Sequence, residues 1–123
     1  MSFTIDKIKS IMEECANKLK IPYLIRDNQI TFNNLKDSWG ECEVLAEEYE
    51  NDINIYSLNK FIFANDLEEN LTESQIINII KHEFAHYYLF IFRQMNCGHG
   101  KNFRKVCKDL KVDNNFIGSK AII

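Results

Sequence analysis

Between Leu71 and Met95 the chain carries an apolar run with a sharply marked start and a polar interruption in its middle. Thr72 and Gln75 have the spacing of a capping box, and Leu71 and Ile76 flank them as a hydrophobic staple. Ile76, Ile77, Ile79, Ile80, Phe84, Ala85 and Tyr87 to Phe92 cover most of a helical circumference. The spacing therefore predicts a largely buried helix of about 23 residues, roughly 34 Å long. Into it the sequence inserts His82, Glu83 and His86. Polar groups inside such a helix are expensive unless something binds them, which argues against a merely solvated stripe.

Positions i and i+4 share a helix face, so the imidazoles of His82 and His86 can aim at one point. A Zn²⁺ ion there would take each ring nitrogen at roughly 2.0–2.1 Å. Glu83 lies about 100° further round the helix, beside such an ion rather than on it. A general base that takes a proton from a metal-bound water belongs at that place.

The third ligand is argued by exclusion. A continuation H-E-x-x-H-x-x-G-x-x-H would need Gly and His where Leu89 and Phe92 stand, and no Asp or Glu occurs between Glu83 and Asp109. The chain has three histidines, and the last is His99, just past the expected helix end between Gly98 and Gly100. Cys97 could also ligate, since thiolate suits zinc. His99 completes the usual three-ligand catalytic set without it, and Cys97 then reads as a small buried hydrophobe.

Taken together, His82-Glu83-Phe84-Ala85-His86 and His99-Gly100-Lys101-Asn102-Phe103 resemble the SprT-like (Spartan-type) zinc metallopeptidases, whose motif runs H-E-x-x-H, a spacer, then H-G-x-x-F. Upstream, Trp39-Gly40-Glu41-Cys42 is similar to the W-G-x-C strand of that family, and Asn54 to Asn59 to the strand that follows. The resemblance covers roughly residues 35 to 110; Lys101 stands where the family often has Pro. It implies a minimal zincin-like α+β domain: an N-terminal helix, a small twisted, mostly antiparallel sheet, the H-E-x-x-H helix and a short C-terminal helix. It further implies hydrolysis of protein substrates on or near DNA, with Zn²⁺ on His82, His86 and His99 and Glu83 as general base.

The rest of the chain fits that frame. Thr4 is a candidate N-cap for a helix to about Lys20, with Ile5, Ile8, Met12, Cys15 and Leu19 as its buried stripe and Pro22 beyond its end. Tyr23 to Ile25 and Gln29 to Phe32 read as a short hairpin around Asp27-Asn28. From Trp39 to about Tyr49 alternation predicts a strand with Glu41 and Glu43 on one face and Cys42 and Val44 on the other. Asn51-Asp52 then turns the chain into Ile53, Ile55 and Ser57. In a zincin this strand region offers its edge to an extended substrate. Residues 62 to 70 read as an acidic, solvated connection. A last helix is expected over Asn102 to Leu110, with Phe103, Val106, Cys107 and Leu110 inward.

At 123 residues, 46% hydrophobic and 27% charged, the chain has the size and composition of one soluble globular domain. It has no apolar run long enough to span a membrane, and MSFTIDKIKS lacks the apolar core of a signal peptide. The four cysteines form no C-x-x-C pair, which argues against a structural zinc site and for a reducing, cytoplasmic setting. Residues 1–92 carry a net charge of −8 and residues 93–123 a net of +5. Arg104, Lys105, Lys108 and Lys111 form one stripe on the expected last helix, a candidate for weak DNA contact. Two other function classes compete: a three-histidine metal-dependent nuclease, and a non-enzymatic zinc-stabilised binding module. The first uses shorter spacers and no glutamate after the first histidine. The second has no use for a carboxylate beside an open position.

Overall fold

The computed structural model describes residues 4–50, 53–95 and 98–113. The first helix, α1 (Ile5–Leu19), starts where the Thr4 side chain accepts the Lys7 N–H at 3.3 Å. It buries Ile8, Met12, Cys15 and Ala16 on one face and ends at Lys20, whose φ of 58° places it in the left-handed region. The expected stripe is borne out, and Ile5 and Leu19 pack against the core from its ends.

The sheet has three strands in the order β1-β3-β2, where β1 is Ile30–Asn33, β2 Gly40–Tyr49 and β3 Ile53–Ala64. The long β2–β3 ladder is antiparallel and the short β1–β3 ladder parallel, so the sheet is mixed. No hairpin forms between residues 23–25 and 29–32. Asp27–Gln29 is a 3-10 turn instead. The Gln29 side chain accepts the Arg26 N–H at 2.9 Å and donates to the carbonyl of Leu58 at 3.2 Å. That buried amide directs the chain into a strand parallel to β3, where Thr31 Oγ1 donates to the Phe61 carbonyl at 2.8 Å.

The antiparallel register shifts once, from Glu43↔Lys60 to Val44↔Leu58, which leaves Asn59 as the extra residue of a bulge. Glu41 and Glu43 are exposed while Cys42 and Val44 are half-buried, as the alternation predicts. The turn at residues 51–52 lies outside the described residues. The acidic connection predicted for residues 62 to 70 is corrected at both ends. Ile62, Phe63 and Ala64 complete the central strand and are buried, and Leu67 anchors a short helix, α2 (Leu67–Asn70). Only Asn65, Glu68, Glu69 and Asn70 are exposed there.

Helix α3 (Glu73–Tyr87) packs against α1 and β2. Its capping box is present: Thr72 Oγ1 accepts the Gln75 N–H at 3.3 Å, and Gln75 Oε1 accepts the Thr72 N–H at 3.0 Å. The helix does not continue regularly to Met95. Tyr88–Phe92 widens into a π-turn, a local geometry common near functional sites. Then the Met95 N–H closes back to the Leu89 carbonyl at 2.9 Å, with Gln94 left-handed at φ 48°. Helix α4 (Lys101–Asp109) buries Phe103, Val106 and Cys107 against α3. Beyond it, Asn78 of α3 holds the chain by a pair of bonds to the Asp113 backbone, at 2.5 and 3.2 Å. Among the described residues, no helix is long and apolar enough to cross a membrane.

Candidate metal centre

His82 and His86 project from one face of α3, and His99 meets them from the turn that leads into α4. Their rings form a nearly equilateral triangle: centroids lie 5.0 Å apart for His82–His86 and for His86–His99, and 5.2 Å for His82–His99. One nitrogen from each lies within 4.8 Å of the others, and Nε2 of His86 is 3.2 Å from Nε2 of His99. Two nitrogens each bonded to a tetrahedral Zn²⁺ at about 2.0–2.1 Å stand roughly 3.3–3.4 Å apart, so this pair already has the separation a shared zinc would impose. Burial lowers the His82 pKa to about 4 and the His86 pKa to about 3, with the neighbouring imidazoles adding to both shifts. Both rings are thus neutral near pH 7, the form that binds a cation. The three residues fit zinc. Cys97 lies outside the described residues.

Phe103 is the support beneath them. It is 4% exposed. Its ring stacks on His86 with centroids 4.3 Å apart and planes 25° apart, and meets His82 and His99 edge-on, each at 5.0 Å. In the sequence Phe103 is an inward residue of the last helix and the final letter of the H-G-x-x-F motif, and its spacing of four from His99 brings it under the three rings.

Glu83 follows His82 on α3 and lines the same cleft, its Oε2 4.0 Å from Nε2 of His82. The residue is 6% exposed. Burial drives its pKa up to about 8, the Glu41 carboxylate pushes the same way, and a hydrogen bond from the Cys42 backbone N–H acts against both. A carboxyl poised there can take and release a proton near neutral pH. Burial also pushes the Cys42 thiol well up, so its sulfur stays protonated.

Strand β2 comes this close to α3 because position 40 is glycine. A β-carbon on Gly40 would stand 3.0 Å from Ile79 Cγ2, 3.2 Å from Phe63 Cδ1 and 3.3 Å from Glu83 Cγ. The result is an open cleft of about 520 Å³ lined by Asp37, Ser38, Gly40 to Glu43, His82, Glu83, His86, Phe90 and His99. Four of these side chains are carboxylates, and none is Lys or Arg. Tyr87 and Tyr88, considered from the sequence as oxyanion donors, do not line it. Tyr87 is buried against Phe61 and Phe84, and Tyr88 stacks on Phe92.

Arg104, Lys105 and Lys108 are exposed on α4, and Lys111 is exposed past its end with a left-handed φ of 59°. None of the four makes an ion pair among the described residues.

No curated protein and no solved structure matches the chain. A family model does, over residues 8–120, which spans every element carrying the cleft and its three histidines. With nearly the whole chain matched, this protein belongs to the SprT-like family.

Proposed function

We propose that the protein is a zinc-dependent endopeptidase. The observation that carries the reading is the position of Glu83: a buried carboxyl beside a cluster of three imidazoles, on the floor of a cleft whose wall is an edge strand. A structural metal site has no need of such a group, and a phosphodiester would meet four carboxylates lining the same cleft. Family membership supports a peptidase-like domain.

In this reading His82, His86 and His99 hold Zn²⁺ through their ring nitrogens. When bound, the ion supplies a Lewis acid that activates a water and polarises the scissile carbonyl. The chain's own residues do the rest. Glu83 accepts a proton at its carboxylate and hands it to the leaving amine nitrogen. The Cys42 N–H holds that carboxylate in place through the transfer. The edge of β2 from Gly40 to Glu43 offers backbone groups to an extended peptide, adding it as a further strand, and Phe90 closes the cleft on the apolar side. Measuring zinc content together with casein hydrolysis, in wild type and Glu83→Gln, tests the proposal. A zinc-loaded wild type that cleaves no protein would overturn it.

DNA-associated proteins are the substrates this reading favours. Its support is the row of exposed cations on and just past α4, the helix that follows His99, which make no ion pair among the described residues.

A further inference from the structure

Gln94 occupies a position where glycine is the usual residue. It follows the last turn of the widened helix, its φ is 48°, and the Met95 N–H closes over it to the Leu89 carbonyl. This is the left-handed closure that commonly ends helices, and a β-carbon there is a cost that Gly avoids. Strained backbone persists only where its surroundings hold it, and here the side chain does so. Oε1 of Gln94 accepts the Tyr56 N–H at 2.7 Å. Its Nε2 donates to the Tyr56 carbonyl and to the Ile91 carbonyl, each at 3.0 Å.

Those two bonds to Tyr56 are the pair a neighbouring strand would make. Tyr56 is opposite Ala46 in the β2–β3 ladder, so its backbone groups, spent on Gln94, face the other edge of β3. Strand β1 covers that edge only from Phe61 to Ala64. One side-chain amide thus stands in for the missing strand at Tyr56. The same junction reaches the cleft, because the Tyr56 ring meets Phe90 edge-on at 5.2 Å and Phe90 lines the cleft wall.

We propose that Gln94 is a positioning residue of the metal centre: by clamping its loop to the backbone of Tyr56, it fixes the point from which the chain departs toward His99. The inference rests on the zinc-site reading above. His82 and His86 are set by a helix buried in the core. His99 is exposed, on a short turn, and its described contacts are the two histidine rings and Phe103. Where the turn begins therefore decides how much order zinc must impose on it. An anchored loop gives the third nitrogen nearly in place, and a free one adds an ordering cost to binding.

Gln94→Gly separates this role from simple helix capping. Glycine relieves the left-handed strain, so a residue that only ended the helix would lose nothing by the change. The expected result is faster hydrogen exchange at the Tyr56 N–H and a Zn²⁺ dissociation constant, by chelator competition on the full chain, weaker by roughly 10–100-fold, the usual scale for residues that orient metal ligands. The metal-free unfolding midpoint should stay within a few degrees, and the visible absorption of the Co²⁺-loaded protein should shift. Gln94→Glu, which keeps length and the acceptor but loses both donated bonds, should weaken zinc in the same direction. It carries the test alone if the Gly variant does not fold. Wild-type zinc affinity in both variants would overturn the positioning role while leaving the metal centre intact, and so would weaker binding with an unchanged Co²⁺ spectrum. A wild-type protein that binds neither ion would overturn the metal centre and this inference together.

Discussion

The backbone N–H of Cys42 donates to the carboxylate of Glu83, so the edge strand of the sheet and the acidic group of the cleft are held by one bond. The bond lowers the Glu83 pKa while burial and Glu41 raise it. It leaves the carboxyl oriented by the wall against which a peptide would lie. A glutamine at that position can still accept the bond but can no longer take a proton.

Glu83→Gln is therefore expected to keep the fold and the zinc while losing about 10²–10⁴-fold in turnover, the usual contribution of a general base. Metal analysis and steady-state peptide hydrolysis on the same preparation check it. Unchanged turnover in the zinc-loaded variant would remove Glu83 from the chemistry, and loss of metal would make it a structural residue.

His99→Ala should lower bound zinc well below one per chain, because two imidazoles on α3 leave the site one protein ligand short. Elemental analysis after dialysis against a weak chelator reads this directly. Full zinc retention would mean that a different side chain supplies the third bond, with Cys97 first to be replaced.

Gly40→Ala should destabilise the protein by about 1–3 kcal/mol, the range for a methyl group forced into a packed site. The new carbon would press on Ile79, Phe63 and the Glu83 side chain together, so activity should fall in the folded fraction as well. Urea unfolding beside kcat separates the two effects. A variant as stable and active as wild type would show that β2 does not need its close approach to α3.

Alkaline stability should decline earlier than exposed groups would require. Burial raises the Cys15 thiol from 9.0 to about 11, and burial raises the Cys107 thiol from 9.0 to about 12. A raised folded-state pKa contributes stability that is complete below pH 9 and is lost as pH climbs through 9 to about 11 and 12. Unfolding midpoints of the metal-free protein at pH 8 and pH 10.5 should differ by less in Cys15→Ala than in wild type. Equal differences would show that this thiol does not carry the effect.

If the basic row on α4 contacts nucleic acid, about four phosphate contacts give log K falling with log salt at a slope near −3.6 for duplex and near −2.8 for single strands. Lys105→Glu/Lys108→Glu should cut the slope and the affinity. Absence of binding at low salt, or indifference to both reversals, would leave a peptidase without a nucleic-acid partner.

The parts of the site legible in the sequence are those whose geometry is local. Helical spacing is enough to bring His82 and His86 together, and the Thr72/Gln75 box marks where that helix starts. What the sequence hides is held by distant partners. Gln29 reads as part of a hairpin until its amide is seen on the carbonyl of Leu58, which turns the strand after it parallel to β3. Ile62 and Phe63 look like the start of a solvated connection because their place in the centre of the sheet, between β1 and β2, is set by distant pairing and not by any periodicity. Gly40 is legible as a motif letter, but the three atoms that forbid a side chain there come from β3 and α3.

The bulge at Asn59 makes the sheet a matter of parity. Strand residues alternate faces with a period of two, and one extra residue exchanges odd for even along everything beyond it. Through Asn59, Leu58 and Tyr56 share the inward side with Phe61, while Ile55 takes the outward one. The arm of β3 that meets Phe90 and Gln94 thus owes its facing to a single count in the chain, and Asn59, whose amide bonds to the Glu43 carboxylate, is the residue that keeps it.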